Sequence, residues 1–296
     1  IINPYRFRII KDSWNKTDKN DSRNMAKALW VHVVTGEFGL PVVYKPSEEV
    51  RELRRLYSQY GNLNKHLVML KNSVQSVFTE NGIVLSKENK KLLFSEKTGF
   101  SLLEKLDISE ASRISIRVSL EILWKVQEQK EKLTKEIFYA GKPFEQQVKL
   151  LISIKGITPL SALAFLSDVG DVTRFKTTRK MNAYLGLVPR LKESGGMSIA
   201  GHINRASRNT TRTLLTQSLV SAMFASPYLN SFYNNVKGRR GAGRARIALI
   251  RKLCGIMRNM LITGEQFRTI NTELYNKKVR QFDRTIKIMD QEKKSA

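Results

Sequence analysis

The chain has 296 residues, of which 41% are hydrophobic, a content that supports a buried core and excludes general disorder. Lysine and arginine number 52 against 26 aspartate and glutamate residues, so the formal net charge is +26. A charge of this size repels itself unless a polyanion neutralises it, and nucleic acid is the commonest polyanion. Ribosomal proteins and basic membrane-surface proteins share this composition, so the charge alone names no reaction.

The single cysteine, Cys254, excludes an intrachain disulfide framework, and no group of cysteines and histidines has the spacing of a zinc site. No apolar run approaches the roughly 18 residues that a membrane span needs, so we expect no membrane contact. Because the sequence shows no secretory signal, we expect a cytoplasmic protein. The chain opens without Met inside an apolar run, Ile1-Ile2-Asn3-Pro4, which predicts that the sequence begins within a domain.

Residues 1–45 are predicted to be a mixed α/β segment. The alternation of residues 5–10 predicts a strand, and residues 41–44 predict a short extended piece. Between them, residues 18–34 predict a helix whose apolar side carries Met25, Ala26, Leu29 and Val33.

Residues 46–144 are predicted to form a long coiled-coil arm. A helix begins after a plausible N-cap, Ser47, and its apolar residues recur in alternating steps of three and four over four heptads. These residues are Leu53, Leu56, Tyr60, Leu63, Leu67, Leu70, Val74 and Val77. A second helix, over about residues 109–139, is placed to return antiparallel. Its apolar face carries Ile114, Val118, Ile122, Val126, Leu133 and Ile137. An ordinary two-helix layer packed on a domain is the alternative.

Residues 145–275 are predicted to be a third region of short helices separated by Gly and Pro turns, and residues 276–296 a charged helix or frayed tail. The positive charge gathers in the third region. From Arg174 to Arg258 there are seventeen Lys or Arg residues and one acidic residue, Glu193. A solvated helix face usually mixes both signs of charge, so this stretch favours a contact with nucleic acid.

A Gly-bearing turn at Lys155-Gly156-Ile157-Thr158-Pro159 lies between two apolar helical segments. This pattern is typical of a helix-hairpin-helix, in which backbone N–H groups and a helix N-terminus bind a phosphate without reading sequence. Thr158 stands where a second glycine is usual. A Gly-Pro turn between two core helices is the alternative.

Two carboxylates, Asp18 and Asp21, are three residues apart in the segment that begins with Lys16. On a helix they project from one face and can share a cation, and carboxylate oxygens suit Mg²⁺. From these residues alone, an N-cap Asp and a solvated Asp explain the pair better.

Ser194 precedes Gly195 and Gly196 and follows the cations Arg190 and Lys192. Small neighbours allow a phosphate backbone to approach, and cations would stabilise a pentavalent phosphate. Further candidates for contacts with nucleic acid are Lys16, near the carboxylate pair, and four residues that follow Ser194: His202, Arg205, Arg208 and Arg212. A serine hydroxyl needs a metal or a base to become a nucleophile, so on these residues alone a loop serine is the more economical interpretation.

Taken together, the motifs resemble the DEDD-type transposases of insertion sequences, the IS one-ten family, which is related to the Piv DNA invertases. The segments that carry the resemblance are K-T-D-x-x-D, the heptad arm, G-I-T-P-L-S-A-L-A-F-L-S-D-V-G-D-V-T-R-F, A-Y-L-G-L-V-P-R, E-S-G-G and G-H-I-N-R. The resemblance implies a mainly α protein: the C-terminal remnant of a RuvC/RNase H-like α/β domain, a long coiled-coil arm, and an all-α transposase domain with a helix-hairpin-helix.

The same resemblance implies the chemistry and the partners. Asp18 and Asp21 would be the last two members of an acidic quartet that binds Mg²⁺, with the first two upstream of Ile1. Ser194 would attack donor and target DNA and hold it as a phosphoserine. The protein would act in the prokaryotic cytosol or nucleoid as a dimer or tetramer formed through the coiled coil, guided by a bridge RNA. The alternatives are a truncated, catalytically inactive nucleic-acid-binding module and a basic structural protein of a ribonucleoprotein.

Overall fold

The computed structural model describes residues 17–36, 40, 43–194, 197–203, 207–268 and 270–295; for residues 190–194, 197–203 and 225 it describes the backbone. Within these ranges the chain is mainly helical, as predicted. It divides into two units, Ile1–Ser47 and Glu48–Ala296. The predicted strand over residues 5–10, Lys16 and part of the predicted extended piece lie outside the described residues.

The first unit contains helix α1, Asp18–Thr35, which confirms the predicted helix. Thr17 is the N-cap, because its side chain accepts a hydrogen bond from the Asn20 N–H at 3.2 Å. Gly36, with φ of 67°, ends the helix in the left-handed conformation that glycine adopts without strain. Asp18 is therefore not the cap; it lies with Asp21 in the first turn.

The second unit begins with the arm. Its long helices are α2, Glu48–Glu80, and α5, Glu110–Ala140; the short helices α3, Lys87–Leu93, and α4, Gly99–Leu103, connect them at the tip. The long helices run antiparallel, as predicted. At the tip the Asn81 side chain donates to the Ser112 hydroxyl at 3.2 Å, and nearer the body the Lys130 ammonium lies 5.0 Å from the ring centroid of Tyr60.

The buried face of α2 agrees with the prediction at five of its eight positions, Leu53, Tyr60, Leu67, Leu70 and Val74, whereas the buried face of α5 differs from the prediction over its first half. On α2, Tyr57 and Phe78 are buried, whereas the neighbouring predicted positions Leu56 and Val77 are only half-buried. On α5 the buried residues are Ile116, Leu120, Leu123, Ile137 and Phe138. Of the predicted α5 residues, Ile114, Val118 and Ile122 are 54%, 50% and 49% exposed. The helix carries two apolar stripes, and periodicity could not decide which one faces α2.

The body follows the arm and contains all remaining elements. A 3₁₀ turn, Lys142–Phe144, leads into α6, Glu145–Leu151, then α7, Pro159–Val169, and α8, Thr178–Tyr184. An antiparallel hairpin of β1, Pro189–Ser194, and β2, Met197–Ile203, comes next. The remaining helices are α9, Thr210–Ala225, α10, Pro227–Thr263, and α11, Thr272–Ser295. The expectation of an all-α third region is therefore wrong at the hairpin.

Helix α7 is the centre of the body, since every residue from Ser161 to Val169 is buried. One hydrophobic core surrounds it and includes residues of the arm as well as of the body. Two side chains of α2 attach the arm directly. The Tyr57 hydroxyl donates to the Leu160 carbonyl at 2.5 Å, and Arg54 donates to the carbonyls of Ser167 and Asp168 at 2.7 and 3.0 Å. The base of the arm is thus part of the body's core, and residue 144 is not a boundary between cores.

Helix α11 is also part of the body, although residues 276–296 were predicted as a charged helix or frayed tail. It is a helix, but its Phe282, Ile286 and Met289 are buried. Its charges pair with the arm and the body: Asp290 with Lys142 at 2.8 Å, Asp283 with Lys149 at 3.1 Å, and Lys293 with Glu136 at 2.9 Å. Val279 and the three buried residues follow one another in steps of three, four and three, so the apolar spacing of this helix indicated a packed face that the tail prediction missed.

Lys278 of α11 holds the turn between α6 and α7. Its ammonium donates to the carbonyls of Ile152, Ile154 and Ile157, the last two at 3.1 and 2.9 Å. Burial lowers the pKa of Lys278 to about 8, while three carbonyl acceptors favour the charged form. One side chain therefore donates to three carbonyls next to the core, of which that of Ile154 also accepts a hydrogen bond from the Ile157 N–H at 3.1 Å.

Replacing Lys278 with Met should lower the free energy of unfolding by about 2 kcal/mol at pH 7, because the three carbonyls lose a charged donor. Between the folded pKa of about 8 and the ordinary value of 10.5, the unfolded chain binds the extra proton. The wild-type protein therefore gains stability with rising pH in this window, and its advantage over Lys278→Met should widen. Urea unfolding at pH 7 and pH 10 measures both effects.

The matched control is Lys287→Met, at an exposed position of α11. Equal losses of stability in the two variants would contradict the role of Lys278.

Candidate functional site

The hairpin of β1 and β2 carries the candidate nucleophile. Ser194 is the last residue of β1 and pairs with Met197, so Gly195 and Gly196, which lie outside the described residues, connect the strands. Arg190, Lys192 and Ser194 occupy alternate positions of β1, and alternate positions belong to one face of a strand. Successive positions on that face are about 6.6 Å apart. The two predicted cations therefore precede Ser194 at alternate positions of the same strand, and the register of the hairpin shifts beside Arg190.

The other predicted residues of this segment are distributed along β2 and α9. His202 lies where the register shifts, opposite the step from Pro189 to Leu191. Arg205 lies outside the described residues. Arg208 is exposed just before α9, and Arg212 is half-buried in the first turn of that helix.

A sequence signal for the hairpin was present and was missed. A Gly-Gly pair between two short segments is a signal for a two-residue β-turn, because glycine readily adopts the positive φ that such turns need. Ser194, which its neighbours alone favoured as a loop serine, is therefore the last residue of a paired strand.

Asp168 is a buried residue of α7 that contacts the start of α9, and the sequence analysis did not single it out. Its Oδ2 accepts hydrogen bonds from the Thr211 N–H at 2.9 Å and from the Thr211 hydroxyl at 2.8 Å. Burial raises the pKa of Asp168, and these bonds together with Arg208 and Arg54 oppose the rise. The other oxygen, Oδ1, has no partner among the described atoms. Asp168 ties the N-terminus of α9 to α7, and an acidic residue in an otherwise apolar helix was the available signal.

The carboxylate pair lies in the first unit. Asp18 is exposed and Asp21 is half-buried, both in the first turn of α1. The Oδ1 atom of Asp21 is buried and has no hydrogen-bond partner among the described atoms. An oxygen in this state suits a cation. Within the described ranges no group of three or more His, Cys, Asp or Glu side chains could hold a metal ion.

The segment predicted as a helix-hairpin-helix contains α6, a turn and α7, an order that the alternative of a Gly-Pro turn between two core helices also predicts. Gly156 in the turn has φ of 93°, and a Cβ at this position would lie 2.8 Å from the Ala222 nitrogen and 2.9 Å from the Ser218 oxygen of α9. The Thr158 N–H donates to the Ser161 hydroxyl in a capping box. Close packing against α9 thus accounts for the glycine, and Lys155 is half-exposed beside it. DNA binding by this turn stays a prediction.

A strongly basic bend interrupts α10. Residues 237–246, here named the Gly-Arg elbow, read K-G-R-R-G-A-G-R-A-R. Gly241 has φ of 79° and ψ of 163°, so the helix breaks there. The exposed cations are Lys237, Arg239, Arg240, Arg244 and Arg246. Among the described residues no carboxylate forms an ion pair with them. No neighbouring atom lies within 4 Å of the Cβ position of Gly238, Gly241 or Gly243.

Comparison with known proteins bears on the part of the body that contains the hairpin. Residues 148–234 match the sequence model of the transposase family IS116/IS110/IS902. The segment is similar to insertion-sequence transposases. It runs from α6 through the hairpin into α10 and contains Ser194, whereas α1, the whole arm and the Gly-Arg elbow lie outside it. For the motifs that lie within residues 148–234, the resemblance to insertion-sequence transposases is confirmed.

Two relatives extend the similarity along the chain. The transposase for insertion sequence element IS1111A of Coxiella burnetii is 25% identical over 277 residues, which cover 90% of this chain and 72% of that protein. A "Probable family 20 transposase" of Pseudomonas aeruginosa is 26% identical over 182 residues, which cover 60% of this chain and 51% of that protein. The chain thus matches about half the length of the Pseudomonas relative. Separately, no helix in the described ranges is long and apolar enough to cross a membrane.

Proposed function

We propose that the protein is a DNA transposase that cuts and rejoins DNA through Ser194. The observation that carries this proposal is the position of Ser194. It ends a strand two and four residues after Lys192 and Arg190, within the segment that matches insertion-sequence transposases. Cations next to a hydroxyl stabilise the negative charge that a phosphate gains when it is attacked.

In the proposed step, the Ser194 oxygen forms a bond to the phosphorus of a DNA phosphodiester as the bond from phosphorus to a deoxyribose oxygen breaks. The serine proton passes to a base or to water, and the released sugar oxygen takes up a proton. The product is DNA linked to Ser194 as a phosphodiester. Attack by a sugar hydroxyl of another DNA end reverses the step and rejoins the strands. No oxidant or reductant is required.

We propose Mg²⁺ as the cofactor, held by Asp18 and Asp21. The unpartnered Oδ1 of Asp21 and the exposed Asp18 one turn away support this assignment. Mg²⁺ usually binds one or two carboxylates and completes its shell with water and phosphate oxygens. When bound, it would neutralise charge on the phosphate under attack. Additional carboxylates would come from residues outside the described ranges.

The test of this proposal is covalent capture of DNA. The full-length protein, incubated with Mg²⁺ and a plasmid that carries its own gene with the flanking DNA, should retain DNA after denaturation in detergent. Ser194→Ala should retain none, because the linking oxygen is gone. Asp21→Asn should lose at least about 100-fold of the adduct while still binding DNA.

Ser198→Ala is the matched control, since this residue lies in the same hairpin and pairs with Glu193. It should keep the adduct. An adduct that survives in Ser194→Ala would exclude this serine as the nucleophile. DNA binding without an adduct in the wild-type protein would support a catalytically inactive nucleic-acid-binding module instead.

We also propose a guide RNA as a second nucleic-acid partner. The formal charge is +26, and the cations of the Gly-Arg elbow form no ion pair with a described carboxylate. This excess of positive charge supports the binding of a second nucleic acid in addition to one DNA site. In the capture assay, ribonuclease treatment before addition of the plasmid should then abolish the adduct. Full adduct formation after this treatment would remove the RNA from the mechanism.

The Gly-Arg elbow is proposed as a contact with the phosphate backbone. Its five exposed cations lie on a bend and form no ion pair with any carboxylate that the structure describes, and its three glycines leave the peptide backbone accessible. Such a surface binds phosphates without reading bases.

Replacing Arg239, Arg240 and Arg244 with Gln should weaken duplex DNA binding about tenfold or more at 0.1 M salt. The plot of log affinity against log salt concentration should become less steep by about 2 to 3, because fewer counterions are released. The control replaces three exposed lysines at the arm tip, Lys91, Lys97 and Lys105, with Gln. It removes the same charge, so an equal change of slope in both variants would mean that net charge alone matters.

We propose that a second copy of the chain binds through the exposed stripe of Ile114, Val118 and Ile122 on α5. The three residues follow steps of four and therefore lie along one side of the helix. A second copy offers the same apolar stripe, so the contact is self-complementary about a two-fold axis.

Light scattering should show a mass above that of the 33.9 kDa chain for the wild-type protein. The double variant Val118→Glu/Ile122→Glu should fall to the mass of one chain, because it buries two charges at the contact. Val84→Glu, at an exposed position outside the stripe, should stay assembled. A monomeric wild-type protein would refute this assembly.

A further inference from the structure

A cleft of about 910 Å³ lies between the arm and the body. One wall is the stretch of α2 from Tyr57 to Asn72, and the other is formed by Arg208 and the first two turns of α9. We name it the amide groove, because five side-chain amides line it: Asn62, Asn64, Asn72, Asn209 and Gln217.

These amides are available to a ligand. Asn62, Asn72, Asn209 and Gln217 are exposed, and Asn64 is half-buried. Within the part of the chain that the structure describes, none of the five side-chain amides forms a hydrogen bond to the protein. Three of them, Asn62, Asn64 and Asn72, follow one another along the same stretch of α2.

The groove carries a small positive charge. Lys65 on one wall and Arg208 on the other are its cations, and the described residues that line it include no carboxylate. Val68 and Met69, both exposed, add an apolar surface. The groove thus combines groups that hydrogen-bond, an apolar patch and two cations, unlike the Gly-Arg elbow, which offers cations almost alone.

This combination matches nucleotides whose bases are unpaired. An amide has both donors and an acceptor, as the edge of a base does, and Asn and Gln are the side chains that match such edges. Unpaired bases also present apolar faces for contact, and their strand carries phosphates for two cations. Paired bases show their edges only inside the grooves of a duplex, which a protruding element enters and a cleft does not.

We propose that the amide groove binds an unpaired stretch of DNA or RNA through its bases. The proposal rests on one part of the proposed function, namely that the protein binds nucleic acid. It does not depend on Ser194 or on Mg²⁺. The position of the groove is fixed by contacts already described: the hydrogen bonds of Asp168 to Thr211 hold the start of α9, and the Tyr57 hydroxyl holds α2.

The test measures binding of labelled 20-nucleotide probes of one mixed sequence as single-stranded DNA, single-stranded RNA and duplex DNA. The variant replaces Asn62, Asn72 and Gln217 with Ala. All three are exposed positions inside helices, where Ala is a better helix former, so the fold should be kept. Affinity for at least one unpaired probe should fall about tenfold or more, with duplex affinity unchanged. The probe that loses affinity identifies the occupant.

Salt dependence separates this site from the elbow. Because the amide variant removes no charge, its slope of log affinity against log salt should equal that of the wild-type protein. The matched control replaces Gln59, Gln129 and Gln281, exposed helical amides outside the groove, with Ala and should bind like the wild type. Unchanged binding of both unpaired probes, or an equal loss for the duplex, would overturn the proposal. The capture assay can fail without affecting either result.

Discussion

A helix that is buried on all sides must find partners for its polar ends inside the protein, and this constraint organises the body. Helix α7 is such a helix. Arg54 from the arm binds the carbonyls at its C-terminal end, and Lys278 from α11 binds those of the turn before it. Segments far apart in the chain therefore meet at α7, because unpaired buried carbonyls would cost more free energy than the fold can spare.

The same constraint positions the candidate site. Asp168, near the end of α7, accepts two hydrogen bonds from Thr211 and so sets where α9 begins. The start of α9 forms one wall of the amide groove, and the residues just before it follow the hairpin that carries Ser194. The arm helix α2 forms the other wall and is attached to the same central helix. Disturbing α7 should therefore affect both walls of the groove together.

Much of the fold follows from the spacing of apolar residues along the sequence. The helix of the first unit and the antiparallel return of the arm could be predicted, because both have long periodic patterns. The facing side of α5 could not, since the helix has two apolar stripes and only the partner selects between them. The packed face of α11 was predictable from the spacing of Phe282, Ile286 and Met289, whereas its ion pairs with distant residues were not.

The candidate site was predictable to a smaller extent. The residues around Ser194 were found from their types and order, but the hairpin was overlooked although Gly195-Gly196 indicates one. Asp168 and the amide groove depend on contacts between segments, so they appear only in three dimensions. Asp18 and Asp21 were found as a pair, and the capping by Thr17 that places both in the first turn was not.

The antiparallel pairing of α2 and α5 has a consequence for how the length of the arm can vary. The two helices are anchored in the body at one end and are joined by a small separate core at the other. Adding seven residues to each helix at the same level would move that core outward by about 10 Å, since each residue adds 1.5 Å. The apolar seam would keep its register to within a small rotation. Related proteins can therefore differ in reach through matched insertions in the two helices, with no change to the body.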